Sequence, residues 1–91
     1  MTLSISKGRY PNSYSFLLSK EIRSYFLQNQ IVVIETEDHI MIREAMLSDT
    51  KTHSLSKSNG AFTYTPKYHE NIIGTWAMEK QGDLFILTEK I

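Results

Sequence analysis

The stretch Ala61–Ile91, AFTYTPKYHENIIGTWAMEKQGDLFILTEKI, reads as one strand, helix and hairpin unit. Phe62 and Tyr64 alternate with Thr63, as one buried face of a strand requires. Thr65-Pro66 has the form of a helix start. Threonine can cap, and proline at the first helical position gives up an N–H that has no intrahelical partner anyway. The reading predicts a short amphipathic helix through Ile72 and Ile73, ended by Gly74. Thr75 to Glu79 and Leu84 to Leu87 are then hairpin arms around Gln81-Gly82-Asp83, where glycine allows the positive φ of a tight turn.

Working back from this unit, the first half of the chain repeats its order. A short strand around Leu3 to Ser6 precedes a loop containing Gly8, Pro11 and Asn12. Tyr14-Ser15-Phe16-Leu17-Leu18 alternates as a second strand. Ser19 then caps a helix expected over Lys20 to Gln28, with Glu21 near the positive end of its dipole. Ile31-Val32-Val33-Ile34 is a β-branched apolar run, so Ile31 to Thr36 predicts a central strand. Glu37-Asp38-His39 is its turn and Ile40-Met41-Ile42 its hairpin partner. Residues 46–52 are polar and read as a linker, with room for a short strand at His53-Ser54-Leu55-Ser56.

The two halves can be overlaid. Ser4-Ile5-Ser6-Lys7 matches Ser54-Leu55-Ser56-Lys57, and Ile40-Met41-Ile42 matches Leu84-Phe85-Ile86. Charge follows the same order: basic over residues 1–34, acidic over 35–50, basic over 51–69 and acidic over 70–91. The fold class expected is α+β, mainly β, in a single domain over residues 1–91. Two strand-helix-hairpin repeats, at about 1–45 and 53–91, are joined by the linker 46–52.

At 91 residues the chain falls within the range of one domain, about 50 to 250 residues. A chain of this size buries only about 60 to 65% of its unfolded surface, so a protein partner or a second copy in a homo-oligomer would add stability. There are no cysteines, which excludes a disulfide framework, a thiolate metal site and a cysteine nucleophile. The N-terminal MTLSISKGRY has no apolar signal core. No apolar run approaches the roughly 20 residues of a membrane helix. The expectation is a cytoplasmic protein without a membrane partner.

The segment Phe16-Leu17-Leu18-Ser19-Lys20-Glu21-Ile22-Arg23, a strand running into a helix and then a hairpin, resembles the swapped-hairpin family of AbrB-like regulators, MazE-type antitoxins and MraZ. Phe62-Thr63-Tyr64-Thr65-Pro66-Lys67-Tyr68-His69 carries a fainter form of it. The resemblance covers most of both halves. It implies two units interleaved as a small pseudo-twofold barrel that presents basic loops to DNA, a fused pseudo-dimer. The chain departs from the family pattern in three places: Ser19 stands where proline is usual, a Leu-x-x-Gly-Asp segment is missing in both halves, and an Asp-x-x-x-Arg signature is absent.

The candidate DNA-binding residues are Lys7, Arg9, Lys20 and Arg23, with Lys57 and Lys67 in the second unit. Basic side chains on a loop and at a helix start suit backbone phosphates, and Arg9 and Arg23 can also contact guanine in two places. His39, His53 and His69 have no metal-ligand spacing, so neither a metal nor a cofactor is expected. No nucleophile with a recognisable motif accompanies His69-Glu70, and the chain does not read as an enzyme. Five tyrosines and Trp76 suit packing better than base stacking. Duplex DNA is the expected partner. A protein-interaction module without DNA binding, antitoxin-like or an adaptor, is the alternative that neutral net charge would suit. A small-molecule barrel would need a cavity that a chain this short can scarcely enclose.

Overall fold

The computed structural model describes residues 1–91. Eight strands are present: β1 (Thr2–Lys7), β2 (Tyr14–Leu18), β3 (Gln30–Glu35), β4 (Ile40–Glu44), β5 (His53–Ser54), β6 (Ala61–Tyr64), β7 (Gly74–Gln81) and β8 (Leu84–Lys90). One helix, α1 (Lys20–Arg23), follows β2. All strand pairs are antiparallel, in the order β5-β3-β4-β8-β7-β1-β2-β6. The two outer strands lie near each other, so the sheet curls into a nearly closed barrel. The His53 ring of β5 packs 5.9 Å from Phe62 and 5.5 Å from Tyr64 of β6, and the Ser56 N–H donates to the Ala61 carbonyl at 2.8 Å. No helix is long and apolar enough to cross a membrane.

Alternation fixes which side chains face inward. Leu3 and Ile5 of β1, Phe16 and Leu18 of β2, Ile40 and Ile42 of β4, and Phe85 and Leu87 of β8 are buried, while the residues between them are more exposed. This matches the period of two that a pleated strand imposes. Phe16 sits at the centre of the β2–β6 side, 5.2 Å from Phe62 and edge-on to Tyr64 at 5.8 Å. Phe26, just beyond α1, meets Phe85 edge-on at 5.5 Å and closes one mouth of the barrel.

Strand direction sorts the connections into two ends. At one end lie α1, the β4–β5 linker, the β5–β6 loop and the β7–β8 turn. At the other lie the β1–β2 loop, the β3–β4 turn and the β6–β7 connection over residues 65–73. The turn in the linker is pinned by Arg43, whose guanidinium donates twice to Asp49 at 2.9 and 2.8 Å, while the Met46 N–H donates to the same carboxylate at 2.7 Å. The Arg43 hydrogen bond, chiefly, holds the pKa of Asp49 at about 2.

Three expectations are corrected. The first helix stops at Arg23 instead of running to Gln28. Ser19 caps it as expected, accepting from the Ile22 N–H. Tyr25 and Phe26 then pack on Phe85, and the chain must turn at once to re-enter the sheet as β3. The second helix is absent: residues 65–73 are irregular. Asn71 takes φ +55, a left-handed conformation that no helix interior accommodates. Gly74 therefore opens β7 instead of ending a helix, and the second unit contains only strands.

Candidate nucleic-acid interface

Two clefts, one at each end of the barrel, hold the charged groups of interest. The first lies between α1 and the β5–β6 loop. Its volume is about 200 Å³, and Arg23, Gln28, Asn29, Ser56, Lys57 and Gly60 are among its lining residues. The loop is shaped by its own hydrogen bonds: Leu55 N–H to the Asn29 carbonyl and Gly60 N–H to the Ser56 carbonyl, both 2.8 Å. The Ala61 N–H donates to Asn59 Oδ1 at 3.0 Å. Gly60 sits at φ +72, and a Cβ there would fall 2.2 Å from Cδ of Arg23. Glycine is thus required twice, for the turn and for the close approach of the arginine stem.

Arg23 is half-buried and takes part in no ion pair. Its Nε is buried without a hydrogen-bond partner, an unusual position for a guanidinium nitrogen, since buried polar groups are nearly always satisfied. No carboxylate lines this cleft. Arg23 and Lys57 therefore present two positive groups to one acid-free space.

The second cleft lies at the opposite end, between the β1–β2 loop and residues 65–70. It is wider, about 550 Å³, and is lined by Asn12, Tyr14, Lys67, Tyr68, His69 and Glu70 together with Thr65 and Pro66. Glu35 does not line it but anchors the residues that do. The Glu35 side chain is 2% exposed and accepts four hydrogen bonds: from the Tyr64 hydroxyl and the Lys67 N–H at 2.7 Å, the Tyr68 N–H at 2.9 Å, and paired with His69 Nδ1 at 2.8 Å. Desolvation, the largest single influence, pushes the pKa of this carboxyl upward, but the bonds from His69, Lys67, Tyr64 and Tyr68 together outweigh it and hold it at about 2. Burial, with the Glu35 carboxylate beside it, raises the Tyr64 hydroxyl well above its ordinary value.

Of the six candidate residues, Arg23 and Lys57 share one cleft and Lys67 lines the other. Lys7, Arg9 and Lys20 are exposed and line neither. Lys7 is in register with Tyr14, which places it and the loop carrying Arg9 at the Lys67 end. None of the six is in an ion pair; the three salt bridges join the N-terminus to Glu21, Arg43 to Asp49, and His69 to Glu35. Between the two basic loops runs an outer face of β1, β2 and β6 whose exposed residues are Ser4, Ser6, Leu17 and Thr63, with no acid among them.

Glu35 and Glu44 lie outside the sequence-predicted site, although their positions carry a signal. Each continues an inward-facing alternation, Ile31-Val33-Glu35 and Ile40-Ile42-Glu44. A carboxylate in such a phase must find donors at the barrel mouth. Glu44 finds them in the N–H groups of Leu27 and Gln28, the latter at 2.6 Å.

A scan of protein-family models finds no match to this chain, and neither a search of curated proteins nor one of solved structures finds one.

Proposed function

We propose that this chain is a small DNA-binding regulator built as a swapped-hairpin barrel, a fused pseudo-dimer that grips duplex phosphates with its basic loops. The observation that carries the reading is the Arg23–Lys57 cleft, where two cations face a space without a carboxylate. Phosphate oxygens would supply the acceptors that the chain itself leaves out.

The repeat is supported by strand order. Exchanging β1–β4 for β5–β8 returns the same sequence of neighbours once the β5 and β6 edges are taken as adjacent. The same exchange converts the pair Met41↔Ile86 into Phe85↔Ile42, which is the other register pair of β4 and β8. An axis of this kind passes through the β2–β6 side and relates the loop of Lys7 and Arg9 to that of Lys57. The neutral, hydroxyl-bearing surface between them is where a duplex would lie.

Fluorescence anisotropy with a labelled mixed-sequence duplex at low and at physiological salt tests the reading. Binding should be detectable at low salt and weaken steeply as salt rises. Absence of binding at low salt would overturn it. The second reading, a protein-interaction module that leaves DNA alone, is favoured by Tyr25, Leu27, Met46 and Leu47, all exposed at the α1 end. A stoichiometric protein partner together with indifference to DNA would support it.

A further inference from the structure

The α1 end holds a second feature that DNA binding does not use. A cavity of about 300 Å³ opens there, with Tyr25, Phe26, Ala45, Met46 and Phe85 as its apolar lining. Beside it stand two leucines with almost no cover: Leu27 is 94% exposed and Leu47 102%. They are held next to the cavity by the chain itself. Glu44, a lining residue, grips the Leu27 N–H, and Leu47 follows the lining residue Met46 in a turn closed by the Asp49 N–H on the Met46 carbonyl at 3.0 Å.

The other four lining residues are charged, two of each sign. Arg43 and Glu44 have partners within the chain, but Asp83 has none, and Lys80 reaches only the Gly82 carbonyl and the face of Tyr25, 5.2 Å from the ring centre. We infer that a second copy of this chain docks here, each protomer inserting a leucine knob into the other's cavity while Lys80 meets Asp83 across the interface. A twofold contact demands that one patch be complementary to itself. Knob, hole, cation and anion all on one patch satisfy that demand, whereas an unrelated partner would need only the hole. Self-association also serves a chain whose own core is small.

Sedimentation velocity over a concentration series, with Lys80→Glu, Asp83→Lys and Leu47→Glu variants, tests the inference. All three side chains are exposed, so the variants should keep the fold, which near-ultraviolet circular dichroism checks. The wild type should dimerise. Leu47→Glu should abolish the dimer. Lys80→Glu and Asp83→Lys, each of which places like charges opposite one another twice, should weaken it by about tenfold. A mixture of the two charge variants restores both attractions and should recover most of the wild-type affinity. A wild type that stays monomeric throughout, a dimer indifferent to Leu47→Glu, or charge variants that fail to complement each other would overturn the proposal. None of these outcomes depends on DNA.

Discussion

The β2–β3 and β6–β7 connections lie at opposite ends of the barrel, and they are built differently. In the first, Ser19 caps a one-turn helix, Glu44 receives the N–H groups of Leu27 and Gln28, and Arg23 is left without a partner. In the second, Asn71 at φ +55 is incompatible with a helix, and Glu35 takes the N–H groups of Lys67 and Tyr68, the Tyr64 hydroxyl and the His69 ring. A strand-end carboxylate anchors both connections. The difference lies in what remains free: a guanidinium facing an acid-free cleft at one end, an imidazole already paired at the other. Anchoring is thus stronger at the Glu35 end, and the cleft without a carboxylate is at the Arg23 end.

The largest effect should come from removing the stronger anchor. Glu35→Ala leaves a buried hydroxyl, two N–H groups and an imidazole without their acceptor and should cost about 3–5 kcal/mol. Glu44→Ala removes a cap from two N–H groups and should cost about 1–2 kcal/mol, as loss of a helix cap does. Urea denaturation of both variants checks the ranking, and equal losses would break the comparison.

Glycine substitutions separate the ends next. Gly60→Ala meets both the positive φ and the Arg23 stem and should cost about 2–3 kcal/mol. Gly82→Ala, at φ +60 with open space around it, should cost about 1 kcal/mol, the conformational penalty alone. The difference between the two losses, read from thermal or urea unfolding, measures the packing of Arg23 against the loop.

The pH dependence follows from Glu35. Its folded pKa of about 2 lies below the ordinary 4.5, so the stability it contributes is fully present above about pH 5 and is lost as pH falls through the window from 4.5 toward 2. Amide protection at Lys67 and Tyr68, followed by hydrogen exchange, should decline across that window. Protection that persists to pH 2 would contradict the role assigned to this carboxylate. The smallest stability effect belongs to Arg23→Ala, expected within about 1 kcal/mol of wild type because no hydrogen bond of its Nε is removed.

Much of the barrel is legible in the sequence because strand alternation is a local signal. Ile31-Val32-Val33-Ile34, the hairpin return at Ile40-Met41-Ile42, the Gln81-Gly82-Asp83 turn and the Ser19 cap all stand where their residues imply. The second helix fails to form although Thr65-Pro66 is a sound start signal: Asn71 takes a left-handed φ, and Glu35, some thirty residues upstream, ties the Lys67 and Tyr68 N–H groups to the end of β3. The isolation of Arg23 is equally invisible in the sequence, since it depends on Gly60 reaching the arginine stem from a distant loop. The lysines and arginines are legible as candidate phosphate-binding groups, and which of them line a cleft is not.

The most direct test of the central claim is the salt slope of duplex binding for the wild type and for an Arg23→Ala, Lys57→Ala double variant. The slope of log affinity against log salt falls by roughly 0.9 for each phosphate that is no longer neutralised. The account predicts a slope shallower by about two, with affinity reduced by about tenfold or more. An unchanged slope, with the fold intact, would contradict it.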